Sequence, residues 1–130
     1  MKSLDTSVIV RFIVIDDDQQ AQQARETLKA GGSVPLSVWL ETVWVLTSFY
    51  KLSRSSVAQS LLAIINMPNM TCPHESGVRW ALNRYSERGK FSDYIHIVSS
   101  IGTEALMTFD QKMGREAGSN APNVVEWLNS

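Results

Sequence analysis

Short strand-like runs alternate with helical ones along the whole chain, and this alternation restricts the fold more than any single residue does. Lys2–Leu4 reads as a short strand, followed by a helix through Phe12 that Asp5 or Thr6 can cap. Asp16–Asp18 gives an acidic start to the helix "DQQAQQARETLKA", which Gly31-Gly32 closes. "SVPLS" predicts a second strand, after which Ser37 caps the apolar helix "VWLETVWVLTSFY". Ser53 caps the next helix, whose Val57, Leu61, Ile64 and Ile65 share one face and which Pro68 stops. "MTCP" predicts a third strand, followed by the helices "HESGVRWALNRYSER" and "SDYIHIVSSIG". "EALMTF" is a strand ending at Asp110, "QKMGREAG" a helical turn and "NVVEW" a last strand. The order β-α-α-β-α-α-β-α-α-β-α-β predicts an α/β fold around a central, mainly parallel sheet.

A length of 130 residues predicts one domain over 1–130. With 44% hydrophobic and 19% charged residues the chain is expected to fold. A net charge of -1 argues against nucleic-acid binding through bulk charge and leaves local patches open. The lone Cys72 excludes an internal disulfide and a thiolate metal cluster, and reads as a small buried hydrophobe. No basic-apolar-small signal pattern and no run of membrane-spanning length is present, so a cytoplasmic protein without a membrane partner is the expectation.

In parallel α/β sheets, ligands bind beyond the carboxyl ends of the strands, where the following helices begin. Asp5, Glu41, Asp93 and Asp110 all fall at that edge in the predicted order. Each has a purely structural alternative: Asp5 as a helix cap, Asp93 as a first-turn acid, Asp110 as a turn closer. Glu41 fits a structural role least well, because Val38, Trp44 and Val45 are its helical neighbours and predict a desolvated acid. Converging carboxylates repel by about 3 kcal/mol per pair at ~5 Å and an effective dielectric of ~20. Either some take up protons or a cation neutralises them. An all-oxygen set favours Mg²⁺ or Mn²⁺ over zinc. His74 and His96 show no ligand spacing beyond a weak Asp93-x-x-His96 and read as structural.

These segments resemble the PIN-domain family, and in particular the VapC-type toxins of bacterial type II toxin–antitoxin pairs. "LDTSVIVRF" resembles the family's opening apolar-Asp-Thr/Ser-Asn motif, and "PLSVWLETVWVL" its helix with an early Glu. "GKFSDYIHIVSS" resembles the stretch with the central Asp, and "ALMTFDQKM" the late Thr-x-Asp strand end. The sequence departs from the pattern at Ser7, where Asn is common, and at Met113, where an aromatic is common. The resemblance implies a three-layer α/β/α sandwich. It implies that Asp5, Glu41, Asp93 and Asp110 are catalytic and surround Mg²⁺ or Mn²⁺, with Thr6 and Thr108 as supporting hydroxyls. It also implies an endoribonuclease acting on structured RNA such as tRNA, a homodimer, and a cognate antitoxin.

An acidic site needs basic residues beside it to hold RNA. Arg79, Arg84, Arg88 and Lys90 precede Asp93, and Lys112 and Arg115 follow Asp110; ion pairs to Glu75 and Glu87 are the alternative use of such charges. The helix over 38–50 is apolar nearly all round; the next helix, with Leu61, Leu62, Ile64 and Ile65, can cover part of it, and a partner copy or an antitoxin helix is expected to cover the rest, with Trp39 and Phe49 as candidate contacts and packing within the chain as the alternative. The rival expectation from another class is a non-catalytic α/β module whose acidic edge docks a basic peptide.

Overall fold

The computed structural model describes residues 1–129. Its elements run α1 (Thr6–Ile13), α2 (Asp18–Ala30), β1 (Gly32–Ser33), α3 (Leu36–Ser48), α4 (Arg54–Ile65), β2 (Met70–Thr71), α5 (Glu75–Glu87), α6 (Phe91–Ser99), β3 (Leu106–Thr108), α7 (Met113–Ala117) and β4 (Val125–Trp127). The expected first strand is a single parallel bridge, Ser3 with Ser33, placed on the side of β1 away from β2.

The pairing is parallel, as an α/β class requires. Gly32 faces Met70 and Ser33 faces Thr71 in one pair of strands. Leu106, Met107 and Thr108 face Val125, Glu126 and Trp127 in the other. Among the described residues the strands form these two separate pairs where the sequence predicts one central sheet. Chain chemistry keeps them short. Pro35, with φ at -64° and no N–H to extend a ladder, ends the β1 segment and starts α3. Pro73 follows β2 in the same way, and α5 begins two residues later behind His74. Gly31, at φ 90°, closes α2 at a point where a Cβ would run into the Asn69 backbone, so this glycine lets β1 lie beside the lead-in to β2.

Capping follows the sequence in most places. Asp17 accepts from the Gln20 N–H at 3.0 Å, and Ser53 from the Ser56 N–H at 3.1 Å. Ser37 does not cap α3. The helix begins at Leu36 behind Pro35, without a side-chain cap among the described residues, and Ser37 lies exposed within its first turn.

α3 is the hub that positions the site, because it packs against both α1 and α6 as well as α4. Its inward face carries Trp39, Val43 and Leu46 into the main core with Ile9, Leu61, Leu82, Tyr94 and Ile97. Trp39 is therefore no surface contact: at 1% exposure it is core. The outward face holds Trp44 at 65% and Phe49 at 73% exposure. Glu41 is exposed too, so the apolar neighbours along the helix do not desolvate it. Among the described residues no helix is long and apolar enough to cross a membrane.

Candidate active site

Asp5 caps α1. Its Oδ2 accepts from the Ser7 hydroxyl at 2.8 Å and from the Ser7 N–H at 3.2 Å. These bonds, the hydroxyl first, hold the Asp5 carboxyl below the ordinary aspartate range. Ser7, in the place where the motif commonly has Asn, thus still supplies a side-chain donor to the acid. The cap and the candidate ligand are one residue, since the carboxylate stays exposed at the helix start.

Thr6 points the other way. It is buried, and its hydroxyl donates to the Glu41 carboxylate. That bond ties the start of α1 to α3. Asp5, Thr6 and Glu41 line one cleft of about 420 Å³ together with Arg11, Phe49 and Tyr50. Arg11 is oriented by Gln20, to which its Nε donates at 2.7 Å, and the Tyr50 hydroxyl donates to Asp16 at 3.3 Å. Sequence reasoning did not single out Arg11, Tyr50 or Asp16 here, because their partners are distant in sequence.

Asp93 lies half-buried in the first turn of α6. Burial, and then the neighbouring charge of Asp110, pushes its carboxyl above the ordinary range; Lys90 and His96 pull the other way. Asp110 sits in the turn after β3. Its N–H donates to the Thr108 hydroxyl at 2.9 Å, and its Oδ1 accepts from the Lys112 N–H at 2.9 Å. Thr108 thus supports the turn that carries Asp110, while Thr6 holds a carboxylate directly.

The four acids come together as two pairs: Asp5 with Glu41 around Thr6, and Asp93 with Asp110. Among the described residues no three carboxylate, imidazole or thiol groups stand close enough to share one ion. The donor chemistry nevertheless fits a hard divalent cation. Every candidate ligand is an oxygen, three of the four carboxylates are exposed, and the repulsion between Asp93 and Asp110 is of the kind a cation relieves.

The basic residues divide by role. Arg79 pairs with Glu75 at 3.2 Å. Arg84, expected to contact RNA, is committed inside the fold: its Nε donates to the Glu116 carbonyl at 2.6 Å, and its guanidinium lies against Gly118. Arg88, Lys90, Lys112 and Arg115 remain exposed.

The chain matches the PIN domain family over residues 2–118 and belongs to that family. PIN domains have an α/β fold and are generally metal-dependent nucleases. Neither the curated proteins nor the solved structures yield a match to this chain.

Proposed function

We propose that this PIN domain is a Mg²⁺- or Mn²⁺-dependent endoribonuclease of the VapC type, the toxin of a type II toxin–antitoxin pair. The reading is supported above all by the Asp5–Thr6–Glu41 arrangement, and also by the charge of Asp110 acting on Asp93. The reaction is hydrolysis of an RNA phosphodiester: water oxygen bonds to phosphorus, and the bond to the departing ribose oxygen breaks. A bound divalent cation would supply positive charge to the phosphoryl oxygens and to the attacking water. Asp5 and Asp93, one from each pair, are the main residues that would hold it. Glu41, oriented by Thr6, and Asp110, oriented by the Lys112 N–H, complete the acidic set. One of these two accepts the proton of the attacking water.

The further parts of this reading are a structured RNA target such as tRNA, arrest of translation, a cytoplasmic location, a homodimer and a cognate antitoxin. Trp44 and Phe49 give the last two a candidate contact surface. The layering of the family's three-layer α/β/α sandwich belongs to the same proposal. The test in cells is growth arrest on expression, relieved by Asp5→Asn.

The second reading, a non-catalytic module that docks a basic peptide, draws on the separation of the acids into two pairs. Peptide binding without metal-dependent RNA cleavage would favour it.

A further inference from the structure

The turn between α5 and α6 meets α7 at a cleft of about 260 Å³ lined by Arg88, Lys112, Arg115 and Glu116. Three cations and one acid share it. Arg88, Lys112 and Arg115 are exposed, and among the described residues none of them is in an ion pair. With three cations against one acid the cleft is net positive, a charge that an entering anion relieves.

Its walls are fixed from inside the protein. The buried Tyr94 hydroxyl lies 2.8 Å from the Arg88 carbonyl and 3.1 Å from the Glu116 carbonyl, within donating reach of each. Arg84 donates to that same Glu116 carbonyl, and Arg54 donates to the Gly89 carbonyl at 2.7 Å. Gly89, at φ 85°, has no side chain to keep Tyr94 away; a Cβ there would overlap the phenol. The buried Tyr94 and the half-buried Arg84 thus tie α7 to α5 and the turn after it, the two segments that carry the cations, while Arg54 braces that turn from the surface. Preorganisation of this kind lowers the entropy lost on binding.

The cleft also adjoins the acidic pair. Lys112 is two residues past Asp110 and donates its N–H to that carboxylate. Glu116 is close enough to Asp93 to contribute to its raised carboxyl range. A strand whose phosphodiester sits at Asp93 and Asp110 therefore has the cationic cleft alongside.

We propose that Arg88, Lys112 and Arg115 form a phosphate subsite that holds the RNA backbone next to the scissile phosphodiester. It rests on the nuclease reading for its substrate and adds to it the residues that place the strand. The guanidinium forks of Arg88 and Arg115 suit phosphate oxygens, and Lys112 adds a point charge.

The test is binding of a fluorescein-labelled RNA hairpin to the full chain in chelator, where cleavage is silent, across a salt series. Lys112→Gln with Arg115→Gln should weaken binding roughly tenfold at low salt and flatten the slope of log affinity against log salt by about 1 to 2. Lys112→Arg with Arg115→Lys should keep both, and Lys29→Gln on α2 should change neither. Unchanged affinity and slope in the Gln double variant would overturn the subsite, even if the wild type cleaves RNA. The same would follow if the wild type showed no salt-dependent RNA binding. Loss of binding in that variant supports the subsite whether or not metal-dependent cleavage is found, so the two readings fail separately.

Discussion

The Thr6 hydroxyl donates to the Glu41 carboxylate, joining residues 35 positions apart in the chain. Thr6 begins α1 and Glu41 lies in α3, so the bond registers two elements that each carry a candidate acid. Asp5 on one side of it faces solvent, while Thr6 itself is buried.

Thr6→Val keeps the shape and removes the donor. Glu41 is then free to leave its position. Cleavage should fall by roughly tenfold, the scale of one hydrogen bond to a charged group. Single-turnover cleavage rates beside a thermal melt check this: a lost rate with little change in melting marks a positioning role.

Asp93 should give up stability for function. Its carboxyl is raised by burial and by Asp110, so just above the ordinary aspartate range the native state keeps a proton that the unfolded chain has lost. Its contribution to stability is full below that range and is lost as pH rises through its raised native value. Asp93→Asn should abolish cleavage, raise the neutral-pH melting temperature and flatten this part of the pH–stability curve. Melts across pH on both proteins measure it.

Arg84 should behave as a structural residue. Arg84→Gln removes the bond to the Glu116 carbonyl that helps tie α7 to α5. A loss of about 1–3 kcal/mol in denaturant unfolding is expected. RNA affinity, measured below the melting transition, should change less than in the Lys112→Gln, Arg115→Gln double variant.

Thr42 is fully buried in α3, and among the described residues its hydroxyl has no hydrogen-bond partner. Thr42→Val removes an unsatisfied polar atom at nearly the same shape. It should stabilise the fold by about 1 kcal/mol, read as a shift in denaturant midpoint at constant slope.

The order of elements was legible because each carries local punctuation. Asp5 and Ser53 sit at helix starts as favoured caps, and Gly31 closes α2. Ser37 misled for the same reason: it is a good cap, but Pro35 two residues earlier already ends β1 and starts the helix. The environment of Glu41 was not legible. In a helix apolar nearly all round, periodicity cannot say which side faces the core, and Glu41, Trp44 and Phe49 lie outward while Trp39 lies inward. Arg84 and Arg88 look alike in the sequence. Only the fold shows that a carbonyl 32 residues on claims Arg84. The runs at β2, β3 and β4 were legible as positions, whereas "SVPLS" shares only Ser33 with β1 and Lys2–Leu4 forms a single bridge; the grouping into two parallel pairs depends on contacts that no local pattern records.

Asp5 gives the most direct test of the central claim, because Asn can still accept from Ser7 and cap α1 while losing the charge a cation needs. The measurement is cleavage of tRNA and a labelled RNA hairpin by the wild type and by Asp5→Asn, with Mg²⁺ or Mn²⁺ and again with chelator. Cleavage by the wild type alone, stopped by chelator, is the predicted result. Cleavage that persists in Asp5→Asn or in chelator would contradict the account.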